Sequence, residues 1–172
     1  MSAPPPDTLV QLLDATQIER KLSRLAVEIL ERHHEHGAVY LVGINNNGYE
    51  TARRLQAGIR AEGFALDVQL RRVRLSPADP LHGGITYEGD AVELDGKHVI
   101  VVDDVANTGR TAFYACKPIL DVVPASVEVA VLVDRSHKSF PTNSDYVGLE
   151  LATTLQQEIR VYYGDSPRVE MF

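Results

Sequence analysis

One stretch of the sequence, from Val99 to Thr111, reads VIVVDDVANTGRT and decides what kind of fold the chain adopts. Its first four residues are apolar in succession, which predicts a strand buried on both faces, as in a parallel sheet covered by helices. This strand carries two adjacent carboxylates, Asp103 and Asp104, to its carboxyl end, where open α/β sheets bind their ligands. We therefore expect an α/β domain with a ligand site at this point.

Strand and helix patterns alternate on both sides of this stretch. The strand patterns lie at residues 39–42, 66–70, 127–133 and 159–163. The helical spacings lie at residues 18–30, 49–59 and 111–120. Thr16 and Glu19 have the spacing of a capping box, which places the start of the first helix there. The alternation predicts an α/β fold with a mainly parallel sheet.

Length and composition are those of one ordinary globular domain. The 172 residues are 44% hydrophobic and 24% charged, so we expect a single domain over residues 1–172, with the Pro-rich residues 1–8 disordered. The sequence has no secretory leader and no apolar run of bilayer length, which predicts a cytoplasmic protein without a membrane partner. The net charge of -7 disfavours RNA as a partner unless a local basic patch exists.

The residues that follow the two acids suit a phosphate group. The amino end of a helix attracts anions, Gly109 lets the backbone approach closely, and Thr108 and Thr111 add hydroxyl donors. Two carboxylates repel a bare phosphate, so Asp103 and Asp104 must meet sugar hydroxyls or a Mg²⁺ ion instead. The ligand that meets these requirements is a phosphorylated ribose.

The 99–111 stretch resembles the phosphoribosyl pyrophosphate (PRPP) signature of type I phosphoribosyltransferases, which has a hydrophobic strand, two acids, a small loop and then Thr-Gly-Arg-Thr. Within this family the chain is most similar to the PyrR group, the pyrimidine-operon attenuation regulators that have uracil phosphoribosyltransferase activity. Four pieces carry the similarity. They are residues 13–14 with 29–32, residues 41–44, residues 99–111, and residues 131–137 with 145–148.

This resemblance implies the type I phosphoribosyltransferase fold, in which helices flank a mainly parallel, twisted sheet. It also implies a small C-terminal hood over the base, at about residues 134–158, and a flexible loop at residues 75–90. The implied reaction transfers ribose 5-phosphate from PRPP to a nucleobase, with uracil as the best match, and releases pyrophosphate. Mg²⁺ is the implied cofactor and a homodimer or higher oligomer the implied assembly.

The resemblance also assigns site residues. The implied catalytic residues are Asp103, Asp104 and Arg72, with Mg²⁺ held near the two acids through PRPP and water. The implied PRPP-binding residues are Asp103, Asp104, Ala106, Asn107, Thr108, Gly109, Arg110 and Thr111. The implied pyrophosphate loop is Asn45, Asn46, Asn47 and Gly48. The implied base-binding residues are Asp134, Arg135, His137, Tyr146 and Val147.

Two alternatives to this enzyme stay open on the sequence. The first is an RNA-binding regulator that senses a nucleotide in the same pocket, with Arg53, Arg54, Arg71, Arg72 and Arg74 as basic candidates. The second is a PRPP- or nucleotide-binding protein with little catalysis. The pyrophosphate loop motivates the second, because three neutral asparagines stand where the PyrR group usually carries basic residues. His137 and Tyr146 also have plain structural interpretations, as a surface imidazole and as hood packing.

Two further features are interpreted as structural. His33, His34 and His36 follow the first helical pattern, and we interpret them as a solvated last turn whose imidazoles suit the negative end of the helix dipole. A metal site is the alternative, but no acid or cysteine at ligand spacing joins them. Cys116 falls in an apolar helical pattern and is expected to be a buried, unreactive thiol.

Overall fold

A computed structural model describes residues 9–152 and 157–172, so the predicted disorder of residues 1–8 and part of the predicted hood lie outside the described residues. The strands are β1 (Val10–Leu13), β2 (Ala38–Ile44), β3 (Asp67–Arg74), β4 (Thr86–Tyr87), β5 (His98–Ala106), β6 (Ser126–Arg135), β7 (Tyr146–Leu151), β8 (Ile159–Tyr162) and β9 (Arg168–Met171). The helices are α1 (Ala15–His33), α2 (Asn45–Ala61) and α3 (Arg110–Ala115), with short 3₁₀ helices at Ala91–Leu94 and Ile119–Asp121.

The central sheet has six strands in the order β4-β3-β2-β5-β6-β7. Its first strand, β4, is antiparallel to β3, and the other neighbours are parallel. The chain leaves β2 through α2 toward β3 on one side, and leaves β5 through α3 toward β6 on the other. The carboxyl ends of β2 and β5 therefore flank the point where the strand order reverses, which is where open α/β sheets bind ligands.

β5 is buried on both faces, as its sequence predicted. Ile100 and Val102 belong to the core under α1 and α2, whereas Val99 and Val101 belong to the core on the opposite face. All four side chains are 0% exposed. Each such burial stabilises the fold by roughly 1.5–3 kcal/mol, so this one strand anchors both hydrophobic layers and fixes the acids that follow it.

α1 begins two residues earlier than the predicted capping box. Asp14 is the N-cap, its side chain accepts from the backbone N–H of Gln17 at 2.8 Å, and the Gln17 side chain accepts from the backbone N–H of Asp14 at 2.9 Å. Thr16 lies inside the first turn and is exposed. The capping box predicted at Thr16 and Glu19 is therefore formed by Asp14 and Gln17, directly after the buried Leu13.

Replacing Asp14 with Ala tests this helix start. The free energy of unfolding should fall by about 1 kcal/mol, since the backbone N–H of Gln17 loses its acceptor. Thr16→Ala should change it by less than about 0.5 kcal/mol, as exposed substitutions usually do. Urea denaturation of both variants measures the difference. If Thr16→Ala is the more damaging, the helix starts where the sequence pattern had placed it.

The second sheet lies outside the range predicted for the hood. It is antiparallel, has the order β1-β9-β8, and so combines both ends of the described chain. Within the predicted range of 134–158, residues 134–135 and 146–151 belong to the central sheet, because β7 pairs in parallel with β6 along Ala130↔Tyr146 to Arg135↔Leu151. The predicted flexible loop at residues 75–90 contains β4, which pairs with the end of β3. None of the described helices is long and apolar enough to cross a membrane.

Candidate functional site

The two acids lie at the strand-order reversal. β2 pairs with β5 as far as Gly43↔Val102, while β5 continues alongside β6 as far as Ala106↔Asp134. Asp103 and Asp104 therefore have a neighbouring strand on one side and an open crevice on the other. The crevice contains a cavity of about 400 Å³. It is lined by Ile44, Asn45, Asn46, Asn47, Pro77, Asp103, Asp104, Val105, Asn107, Thr111 and Ile159.

The predicted pyrophosphate loop is the first turn of α2, and this corrects its assignment as a loop. Asn45 has a φ of 52°, and its side chain exchanges two hydrogen bonds with the backbone of Leu75, at 3.0 and 3.1 Å. Ile44 is the N-cap and makes no side-chain cap hydrogen bond. The backbone donors of this turn thus have no side-chain cap, and the amino end of a 17-residue helix faces an anion favourably.

Gly48 brings this turn against β5. A Cβ at this position would lie 2.5 Å from the carbonyl oxygen of Val102 and 3.2 Å from Cα of Asp103. Any larger residue would therefore push α2 away from the strand that carries the acids. The absence of a side chain at Gly48 sets the distance between the two halves of the crevice.

Asp103 and Asp104 lie next to each other, and their environment disfavours two negative charges. The side chain of Asn47 donates to Oδ2 of Asp104 at 2.8 Å and to the carbonyl oxygen of Val161 in β8 at 3.0 Å. Burial raises the pKa of Asp103 well above its usual range, and the charge of the adjacent Asp104 adds to the rise. A divalent cation or a pair of ribose hydroxyls would offset the repulsion between the two carboxylates and the cost of their desolvation. The residues present therefore fit a Mg²⁺-bound sugar.

The predicted phosphate loop forms a second cavity of about 220 Å³, which shares Asp103, Asn107 and Thr111 with the first. Gly109 has a φ of +84°, and a Cβ there would lie 2.0 Å from Oγ1 of Thr142, so only glycine fits. The predicted PRPP residues that line one or both cavities are Asp103, Asp104, Ala106, Asn107, Thr108, Gly109, Arg110 and Thr111. The structure thus brings this whole predicted set together.

The end of β6 supports the phosphate loop from the side. Arg135 donates to Oδ1 of Asn107 at 3.0 Å, and Lys138 donates to the carbonyl oxygen of Asn107 at 3.1 Å. Lys138 also forms an ion pair with Asp134. Two predicted base-binding residues, Asp134 and Arg135, thus lie beside the phosphate loop, and His137 is exposed nearby. The sequence analysis did not predict a role for Lys138. A lysine four residues after Asp134 can form an ion pair with it, and this spacing could have identified the residue.

None of the five predicted base-binding residues lines either cavity, so their contact with the base stays a prediction. Tyr146 is 2% exposed and its hydroxyl donates to Oε2 of Glu128 at 2.9 Å. It pairs with Ala130 in the middle of β6, and its ring lies in the core cluster that also contains α1 residues. The plain interpretation of Tyr146 as a packing residue is the one that the structure supports.

Arg72 contacts the first turns of α2 and lines neither cavity. Its guanidinium stacks over the ring of Tyr49 at 4.0 Å and donates to Oδ1 of Asn46 at 3.2 Å. Its Nε lies 3.2 Å from Oε2 of Glu88 but is not aligned for a hydrogen bond. Arg110, on the other cavity, donates to the carbonyl oxygen of Pro77 at 2.8 Å and so ties the loop after β3 to the phosphate loop.

A larger apolar cavity of about 730 Å³ lies elsewhere, along α3 and the amino half of β6. It offers no acid pair and no phosphate loop, so size alone does not locate the chemistry. Cys116 lines it, and burial raises the pKa of this thiol to about 11. Cys116 is half-buried, and its raised pKa favours the thiol form over the nucleophilic thiolate.

Comparison with known proteins agrees with this geometry. Residues 9–164 match the family model described as phosphoribosyl transferase domain. The chain belongs to the phosphoribosyltransferase family. Its fold is that of the type I members, and among curated relatives it is similar to proteins named bifunctional protein PyrR, as its sequence suggested. The relative from Haemophilus ducreyi is 35% identical over 159 residues, which cover 87% of each chain. The relative from Pelotomaculum thermopropionicum is 36% identical over 157 residues, which cover 88% of this chain and 87% of that one.

Solved phosphoribosyltransferase structures share the fold. The hypoxanthine phosphoribosyltransferase of Trypanosoma cruzi matches with a TM-score of 0.72 at 18% identity, and the match covers 92% of this chain and 94% of that one. A hypoxanthine-guanine phosphoribosyltransferase from Bacillus anthracis matches with a TM-score of 0.68 at 23% identity, covering 84% and 83%. These likenesses show the shared fold, and they say nothing about the base.

Proposed function

We propose that this phosphoribosyltransferase transfers ribose 5-phosphate from PRPP to uracil, with Mg²⁺ bound to PRPP, and releases pyrophosphate. One observation carries the proposal: Asp103 and Asp104, the phosphate loop and the first turn of α2 face a single crevice at the strand-order reversal. That arrangement matches the order of groups in PRPP, with a phosphate, a ribose diol and a pyrophosphate in sequence.

The acid pair holds the ribose. Asp103 and Asp104 accept hydrogen bonds from the ribose hydroxyls, or from water on the metal, and their negative field stabilises the positive charge that develops on the ribose ring. Mg²⁺, when bound, neutralises the leaving pyrophosphate. Asn47 keeps the Asp104 carboxylate oriented through its 2.8 Å hydrogen bond.

The two anionic ends of PRPP bind to backbone donors. The 5′-phosphate lies in the 220 Å³ cavity of the phosphate loop, where Thr108 and Thr111 add hydroxyls. The pyrophosphate lies against the first turn of α2, whose three asparagines are neutral, so Arg72 is the cation that compensates. The neutral turn predicts a weaker hold on the leaving group than a basic one would give.

The choice of base rests on the relatives. The family resemblance points to uracil, and the curated relatives carry the PyrR name. Asp134, Arg135 and His137 remain proposed base contacts, because they lie at the carboxyl end of β6 next to the phosphate loop. Ile159 of β8 lines the crevice as well and joins this proposed group.

The described arginines do not favour RNA. Arg53 and Arg54 pair with Glu50 at 2.7 and 2.9 Å, and the three arginines of β3 each lie against a carboxylate. These last pairs are Arg71 with Glu93, Arg72 with Glu88 and Arg74 with Glu88. Paired cations release fewer counterions on binding a polyanion, so these five arginines favour the enzyme over the RNA-binding alternative. We also propose a homodimer or higher oligomer, as the family resemblance implies.

A calorimetric titration tests the function. PRPP with MgCl₂ is added first, and uracil follows in the same cell, with hypoxanthine and guanine in parallel runs. Binding of PRPP, then heat and pyrophosphate release with uracil alone, is the expected result. Turnover with a purine would overturn the assignment of uracil as the substrate base. PRPP binding without turnover would favour a regulator or a nucleotide-binding protein with little catalysis. No PRPP binding would overturn the site.

Arg72→Gln should lower kcat/KM by about 10- to 100-fold, because one cation facing the developing pyrophosphate charge is lost. Arg74→Gln is the matched control, since Arg74 shares Asn46 and Glu88 with Arg72 but is 48% exposed against 21%. It should change kcat/KM by no more than about twofold, as exposed ion pairs contribute little. Equal losses in the two variants would contradict a role specific to Arg72.

A further inference from the structure

A cluster of three imidazoles occupies the amino edge of the central sheet. His33 and His36 come from the end of α1, and His98 is the first residue of β5. One ring nitrogen from each lies within 4.8 Å of the other two. The interpretation of the histidines at residues 33–36 as a solvated turn is corrected for His33, which is 1% exposed. His34 and His36 are exposed as predicted, and Nδ1 of His34 faces the carbonyl oxygen of Glu31.

The hydrogen bonds of His33 orient it as a ligand. Its Nε2 lies 2.7 Å from Oε2 of Glu128, an acceptor, so Nε2 carries the proton and Nδ1 keeps its lone pair. Glu128 is held in place by Arg32 at 2.9 Å and by the Tyr146 hydroxyl at 2.9 Å. A histidine whose outer nitrogen donates to a fixed carboxylate is the arrangement that supports metal ligands in proteins.

The lone pair of His33 points at a second imidazole nitrogen. Nδ1 of His33 and Nδ1 of His36 are 3.0 Å apart, so without a metal the Nδ1–H of His36 donates to the lone pair of His33. Two nitrogens bound to one tetrahedral Zn²⁺ at about 2.0–2.1 Å lie about 3.3–3.4 Å apart. The pair is thus within a few tenths of an ångström of ligand spacing.

His98 completes the set. Its ring stacks on His36 at 3.8 Å between centroids with an 11° tilt, and lies 5.3 Å from the His33 ring. Its Nδ1 faces the hydroxyl of Ser126 at 2.8 Å, which leaves Nε2 as the free ligand atom. A rotation that closes the 4.8 Å separation by about 1.4 Å gives three nitrogens around one point.

We propose that His33, His36 and His98 bind a divalent transition metal, with Zn²⁺ as the best match and a water as fourth ligand. Three imidazoles suit Zn²⁺ and exclude Mg²⁺, which takes oxygen ligands. The metal joins the end of α1 to the start of β5. It lies about 17 Å from Asp103, since five residues of strand separate His98 from that acid. The site is thus independent of the proposed transferase chemistry.

Zinc titration of the chain, prepared metal-free and without a polyhistidine tag, tests the proposal. ZnCl₂ should bind with one-to-one stoichiometry, and zinc at 100 times its Kd should raise the Tm by about 5–10 °C. MgCl₂ at the same concentration should leave the Tm unchanged when PRPP is absent. A Co²⁺-loaded sample should show the intense visible bands of a tetrahedral site.

His36→Ala and His34→Ala are a matched pair. Both side chains are exposed and lie two residues apart, so neither variant threatens folding. His36→Ala should weaken zinc binding by at least about 10-fold, the lower limit for loss of a group that holds a metal. His34→Ala should leave it unchanged. Equal weakening in both variants, or no zinc binding by the parent chain, overturns the site.

Discussion

Replacing both Asp103 and Asp104 with asparagine should weaken PRPP binding by about 100-fold or more while the fold persists. Loss of a buried, hydrogen-bonded charge from a binding site costs about 2–5 kcal/mol. Asparagine keeps the acceptor that receives the backbone N–H of residue 104 at 2.9 Å, so the local geometry survives. Calorimetric titration with PRPP and MgCl₂ measures the effect.

A control variant with Asp67→Asn and Asp121→Asn also removes two negative charges, but away from the crevice. Asp67 begins β3 at the amino edge of the sheet, and Asp121 lies in the 3₁₀ helix after α3. Both side chains are exposed. This variant should bind PRPP like the parent chain. Unchanged PRPP affinity in the Asp103 and Asp104 variant would refute the site. An equal loss of affinity in both variants would show that the effect comes only from the change in net charge.

The same acid pair should make the unliganded protein less stable as the pH rises. Burial and Asp104 raise the pKa of Asp103 above its unfolded value of about 3.9. The folded chain therefore holds this proton more tightly, so its stabilising effect is complete below about pH 3.9 and is lost as the pH passes the folded pKa. Without ligand, Asp103→Asn should have a higher Tm than the parent at pH 7 and lose this advantage near pH 4. If the parent chain and the variant have the same Tm at pH 7, the pKa of Asp103 is not raised in the folded chain.

Gly48→Ala should lower the Tm by about 4–10 °C and weaken PRPP binding with it. Helix propensity alone predicts the opposite, because alanine stabilises a helix interior by about 0.5–1 kcal/mol relative to glycine. Here the added Cβ meets the Val102 carbonyl oxygen at 2.5 Å, and overpacking of this kind costs about 1–3 kcal/mol. The strain falls on backbone atoms next to Asp103, so the crevice widens where the ribose binds.

Thermal unfolding and PRPP titration of Gly48→Ala provide the measurement. Gly164→Ala is its control, because a Cβ there meets nothing within 4 Å and its φ is not in the left-handed region. That variant should keep the parent Tm within about 2 °C and bind PRPP normally. A Gly48→Ala protein with the Tm and affinity of the parent would show that α2 need not lie against β5.

Much of the site was predictable because its signals are local. The run of four apolar residues predicted a doubly buried strand, and the acids, Gly109 and the threonines followed it within a few positions. Such patterns depend on the preferences of neighbouring residues, so they survive without knowledge of the rest of the fold. The order of strands and helices likewise predicted the parallel sheet.

The place of the Tyr146 ring depends on non-local packing. The ring lies in the core cluster with α1 residues, and its hydroxyl donates to Glu128 of β6, 18 positions earlier in the chain. The sequence showed no sign of which face of the sheet this ring would reach. The small sheet was missed for the same reason, since it joins β1 to strands near the far end of the chain.

By itself, the sequence determined the α/β class, the doubly buried β5 and the acid and phosphate loop at its carboxyl end, because periodicity and loop chemistry act between near neighbours. Only the tertiary structure decided which arginines are neutralised, where Tyr146 lies, and that His98 joins His33 and His36 across more than sixty residues of chain. Those outcomes depend on strand register and on which sheet edge each element reaches. Both are set by packing of the whole domain.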